Sequence, residues 1–153
     1  MSEKNPFKLF VTHEFAESED YLRVFEYLES REHFYYVNCS RPDGRPDPAE
    51  SEAVQEELRT QIRQAELVIC PVGVHKDPAL VSFQLDVAQA FSLPVLAIKS
   101  FGGMMEMSAA LRDAAIGTVD WNDREMTDAI RRIARGEDTS TWDVIDFDPD
   151  EFS

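Results

Sequence analysis

Apolar and β-branched residues gather in five short runs along this chain: Phe7 to Thr12, Phe34 to Asn38, Leu67 to Val72, Pro94 to Lys99 and Gly117 to Trp121. Between them, apolar positions recur at spacings of three and four, as on one face of a helix. A parallel crossover needs about a dozen residues or more, and every separation here meets that length. The alternation therefore predicts an α/β domain with a five-stranded parallel sheet in order 2-1-3-4-5 and helices on both faces. The strand order reverses between strands one and three, and ligands of such sheets bind beyond the carboxyl ends of the strands at that point. The predicted mouth comprises Thr12, His13, Glu14 and Phe15, the loop around Ser40, and the segment Gly73 to Gln84.

Finer signals place the helices. The first is expected after Ser18, with Glu19 and Asp20 favoured by the helix dipole, and runs to about Glu32. Its apolar stripe is read as Leu22, Val24, Phe25, Tyr27 and Leu28. Prolines and turn formers from Asn38 to Pro48 exclude regular structure. The second helix, from about Ala49 to Gln64, offers the sheet only Val54, Leu58 and Ile62, followed by Ala65. Asp77 as N-cap and Pro78 as first helical residue start a third helix to about Phe91. Met104, Met105 and Met107 are expected to pack. Asp123 is the expected N-cap of a last helix ending near Arg135.

With 153 residues, 43% of them hydrophobic, the chain suits one core, read as a domain over 1–136. An acidic tail follows over 137–153. It carries Trp142, Val144, Ile145, Phe147 and Phe152, and is expected to drape over the domain or remain mobile. A net charge of −15 with no basic cluster argues against nucleic-acid and membrane partners. Cys39 and Cys70 have no zinc-site spacing, and no metal site is expected. The two cysteines fit a reducing cytoplasm. Met1 to Pro6 leads straight into the first strand, so no secretory leader is expected, and no apolar run approaches the roughly 18 residues of a membrane span.

Common catalytic motifs are missing: no Walker A, no Gly-rich dinucleotide fingerprint, no G-x-S-x-G elbow and no His-Glu-x-x-His. A phospho-receiver would need acidic residues after strand one and an aspartate ending strand three. Thr12-His13-Glu14 and Val72-Gly73 stand there instead. His13 follows an apolar strand at the ligand edge, where it is either a binding group titrating near neutrality or a packed strand-end residue. His33 and His75 read as solvated surface residues.

Val11-Thr12-His13-Glu14-Phe15 followed by Asp20-Tyr21-Leu22, then Asn38-Cys39-Ser40-Arg41-Pro42, then Pro94 to Gly102, then Val119-Asp120-Trp121-Asn122 with Ala129-Ile130-Arg131 resemble, in order and spacing, the TIR-like domains of the Thoeris anti-phage defence type. These are a bacterial branch of the Toll/interleukin-1 receptor fold, a flavodoxin-like three-layer sandwich. The resemblance implies NAD or a related nucleotide as ligand or substrate and no resident cofactor. It also implies self-association through TIR surfaces and a downstream effector protein. Catalytic members cleave the nicotinamide–ribose bond with a glutamate on the helix after strand three, and the matching position is Gln84. The family tryptophan is replaced near Leu80. The implied ligand-binding positions are Thr12, His13, Phe15, Ser40, Gly73 and Asp77.

Gln84 keeps the size of glutamate without its charge, so it can hold ribose without stabilising a developing cation. Two function classes follow. One is a TIR-like signalling or binding module with little or no turnover. The other is an active nucleotide-processing enzyme, either an NAD glycohydrolase or cyclase, or a protein like the nucleoside deoxyribosyltransferases. The first predicts that Gln84→Glu gains NAD cleavage if the pocket is otherwise intact.

Overall fold

Leu67 and Ile69 project to one side of their strand while Val68 and Cys70 project to the other, and all four are buried. A strand apolar at every position belongs to a sheet covered on both faces. The computed structural model describes residues 4–47 and 50–137, and the elements run β1 (Phe7–Val11), α1 (Glu19–Glu29), β2 (Tyr36–Asn38), α2 (Ser51–Arg63), β3 (Leu67–Pro71), α3 (Pro78–Ala90), β4 (Val95–Ile98), α4 (Ala109–Ala114), β5 (Ala115–Val119) and α5 (Asp123–Arg135). All pairings are parallel and the order is β2-β1-β3-β4-β5, as the alternation predicts. Of the acidic tail 137–153, all but Glu137 lies outside the described residues.

Helices α1 and α5 cover one face. Tyr21, Val24 and Leu28 of α1 meet Met126, Ala129 and Ile130 of α5 over Leu9, Ile69 and Leu96. On the other face Leu58 and Ile62 of α2, Leu85 and Ala88 of α3, and Leu111 of α4 lie over Phe10, Val68 and Ala97. Each fully buried Leu or Ile contributes about 1.5–3 kcal/mol by leaving water. Ionic and aromatic contacts then fasten the far end of α5. Arg135 gives Nε and a terminal nitrogen to the two Glu66 carboxylate oxygens at 2.9 and 2.8 Å, donates to the Asn5 and Pro6 carbonyls, and lies 4.0 Å over the Phe7 ring.

Several boundaries differ from the sequence reading. Leu22 is 45% exposed, and Tyr21 replaces it in the buried stripe, because 100° per residue carries position 22 off the face shared by 21, 24 and 28. The second strand is shorter than its apolar run. Phe34 instead stacks on Phe7 at 5.4 Å, after His33 has taken a left-handed turn at φ 62°. The fifth strand begins two residues early, at Ala115, and Trp121 has left it to pack against Tyr27. Asn122, rather than Asp123, caps α5 by accepting from the Glu125 N–H. Among the methionines of the β4 exit, Met107 packs on the core, but Met104 is 88% and Met105 42% exposed. The Ser18 and Asp77 caps form as expected, each worth about 1 kcal/mol.

Candidate functional site

Beyond the carboxyl ends of β1 and β3 opens a cleft of about 1090 Å³. Thr12, His13, Phe15 and Asp77, all expected at the mouth, line it; Ser40, Gly73 and Gln84 do not. The β1 ladder continues past the strand, since Thr12 N–H donates to the Ile69 carbonyl at 3.0 Å. This extension carries His13, Glu14 and Phe15 to the opening.

His13 is buried, and both ring nitrogens are engaged. The Phe15 N–H donates to Nδ1 at 3.0 Å, so Nε2 carries the ring proton and donates to Gln61 Oε1 at 2.9 Å. Gln61 is fixed independently: its Oε1 accepts from the Arg41 N–H, and its Nε2 donates to the Arg41 carbonyl and to Glu57. Burial pushes the His13 pKa down, outweighing the Gln61 hydrogen bond and the Glu57 charge that raise it. The imidazole is thus a neutral strut between the β1 exit and Gln61 of α2, which in turn holds the loop after β2 at Arg41. It holds Phe15 at φ 59°, a left-handed conformation that costs a bulky side chain roughly 1–2 kcal/mol. Strain of this kind gathers at functional clefts.

Gln84 has a comparable part. It is fully buried, with Nε2 donating to the His13 carbonyl at 2.7 Å and to the Leu80 carbonyl at 3.1 Å, and Oε1 accepting from the His13 N–H at 3.0 Å. The amide pairs with the backbone just beyond β1 as a neighbouring strand would. It is spent on the fold, away from the cleft. Ser40 is similarly enclosed: it donates to Asn38 Oδ1, Asn38 Nδ2 donates to the Tyr21 hydroxyl at 3.0 Å, and Tyr21 and Ser40 share a hydrogen bond of 2.9 Å. That ring ties the loop after β2 to α1.

Gly73 acts by its lack of a side chain. An added Cβ would lie 2.6 Å from Asp20 Oδ2, and Asp20 pairs with Arg23 at 2.5 Å. Glu14 spans the mouth, with Oε1 accepting from the Asp77 N–H at 2.6 Å and Oε2 3.4 Å from His75 Nδ1. His75 is therefore a partly covered, paired group rather than a freely solvated one. Arg45 and Lys76 bring positive charge to the cleft wall and are ion-paired to no described residue.

Sequence reasoning missed Gln61, because it lies beside the apolar spacing of α2 and only its partners reveal its role. It also missed the seat of Asp20 on Gly73. Neither thiol is activated: burial raises Cys39, and pushes Cys70 up to about 11. Among the described residues, no group of three or more His, Cys, Asp or Glu is placed to hold a metal ion, and no helix is long and apolar enough to cross a membrane. No protein-family model matches this chain, and neither does any curated protein.

Proposed function

We propose that this chain is a TIR-like signalling module that binds NAD or a related nucleotide without turning it over, acting in the cytoplasm in prokaryotic anti-phage defence. The observation that carries the binding reading is the cleft at the β1/β3 switch point, where open parallel sheets take their ligands. Its chemistry suits a nucleotide. Arg45 and Lys76 answer phosphate in an otherwise acidic protein, Glu14 and Glu19 offer acceptors to ribose hydroxyls, and Phe15 and Phe83 supply aromatic wall. The reading without turnover is supported by Gln84, at the position that resembles the family glutamate, whose amide is uncharged and committed to the His13 backbone. Defence, self-association and a downstream effector rest on the sequence resemblance alone.

A second reading, a nucleotide-processing enzyme, is favoured by one feature: Glu14 is a cleft carboxylate held by a backbone N–H beside an imidazole. Calorimetry with NAD, combined with chromatography of released nicotinamide, tests both. We expect binding that Lys76→Glu and Arg45→Glu each weaken by about tenfold, with no release above buffer. Nicotinamide release that Glu14→Gln abolishes establishes the enzyme instead. No NAD binding at millimolar concentration overturns the nucleotide reading.

A further inference from the structure

A second, smaller hollow of about 400 Å³ opens beside the cleft, between the β3 exit, α3 and the segment leading into α4. The two compartments share a wall: Pro71, Val74, His75 and Val81 line both. Their chemistry differs. The cleft carries the charged groups of the mouth, whereas the annex is walled largely by apolar side chains, among them Val72, Leu85, Met105 and Leu111. Few polar groups reach it, chiefly Ser82, Glu106 and His75. An apolar hollow with a few placed polar groups orients a flat ring, burying its faces and hydrogen-bonding its edge. The annex is large enough for a heteroaromatic ring system and too small for a dinucleotide, and only the shared wall of Pro71, Val74, His75 and Val81 lies between it and the compartment that suits phosphate and ribose.

We infer that the annex is the base subsite: it takes the heteroaromatic ring of a ligand whose phosphate and ribose lie in the main cleft. Glu106 and Ser82 face the ring edge, where a carboxylate accepts from an amino or amide N–H and a hydroxyl answers a ring nitrogen. His75, paired through Nδ1 with Glu14, stands at the junction between base and sugar. The inference deepens the nucleotide reading and rests on it for the ligand class.

The test uses the full chain labelled with ¹³C at the methionine methyls. Met105 lines the annex, while Met126, fully buried between α5 and the sheet, serves as the internal reference. Adenosine, nicotinamide and ribose 5-phosphate are titrated separately. We expect adenosine or nicotinamide to move the Met105 signal, identifying which ring is taken, while ribose 5-phosphate leaves it unchanged and the Met126 signal stays fixed throughout. Ser82→Phe, and independently Ala110→Phe from the opposite wall, should abolish that shift and weaken NAD binding about tenfold, with ribose 5-phosphate affinity held within about twofold. NAD binding with a silent Met105, or a Met105 shift that survives both substitutions, overturns the base subsite and leaves the nucleotide reading standing. A Met105 response to a free ring without NAD binding overturns the nucleotide reading and, with it, the assignment of the annex as a base subsite, leaving a ring-binding hollow alone. No response to any probe overturns both.

Discussion

The side-chain amide of Gln84 pairs with the backbone of His13 at both ends, donating to its carbonyl at 2.7 Å and accepting from its N–H at 3.0 Å. A glutamine can do both; a carboxylate can only accept. The position that resembles a catalytic glutamate is here a fastener of the β1 exit, and the consequence is measurable.

Gln84→Glu should lose stability instead of gaining NAD cleavage. Its carboxylate would face the His13 and Leu80 carbonyls with no proton to donate, at a cost of about 3 kcal/mol near neutrality. The buried acid would titrate high and, once protonated, regain a donor, so the deficit should shrink as pH falls. Urea denaturation at several pH values checks both points. Undiminished stability with new nicotinamide release would restore the expectation drawn from the sequence.

His13 sets a second pH dependence. Its folded pKa lies below the ordinary 6.5, so below that value the unfolded chain binds a proton that the native imidazole refuses. The stability due to its neutral form is complete above about pH 6.5 and declines as pH falls toward the folded pKa, by at most about 1.4 kcal/mol per pH unit. His13→Gln should be less stable at pH 7.5, yet lose less on acidification to pH 5. Parallel urea midpoints for the two proteins would refute this assignment.

Gly73→Ala should alter the cleft more than the fold. The new methyl displaces the Asp20 carboxylate, the mobile end of a side chain, so the stability change should stay under about 1 kcal/mol. Ligand affinity should fall further than that, and adding Asp20→Ala should recover stability by removing the clash. A double-mutant cycle on thermal midpoints and NAD affinity reads the coupling directly.

Arg135→Lys should cost about 1–2 kcal/mol, because an ammonium cannot reproduce the two-point contact with Glu66 while reaching two carbonyls and covering Phe7. The Arg135 hydrogen bond chiefly holds the Glu66 carboxyl below its ordinary 4.5. That contribution is present above about pH 4.5 and is lost as pH falls through the folded pKa. The gap between wild type and variant in urea midpoint should therefore narrow below pH 4.5, and a constant gap would exclude it.

How far the sequence spoke can be judged from single residues. Asp77-Pro78 announces a helix start because capping chemistry is local, and the structure forms it as read. Leu22 reads as part of the buried stripe because an apolar residue beside a stripe looks like a member of it, and only the seat of the helix on the sheet leaves it exposed. His13 is read as site chemistry from its place at the end of the first strand, and Gln84 from the resemblance to a family whose glutamate lies on the helix after strand three. What those side chains do is set by hydrogen bonds between residues 48 and 71 places apart in the chain.

The sequence by itself determined the alternation of strands and helices, the parallel order and the edge of the sheet where the cleft opens. These follow from side-chain periodicity and crossover length, which are written in neighbouring residues. Only the tertiary structure decided which polar groups stay open to the cleft. Gln84, Ser40 and both nitrogens of His13 are spent on the fold, while Glu14, His75, Arg45 and Lys76 line the open space. A buried donor or acceptor must find a partner, and which partner it finds depends on chain segments that meet only once the sheet has closed.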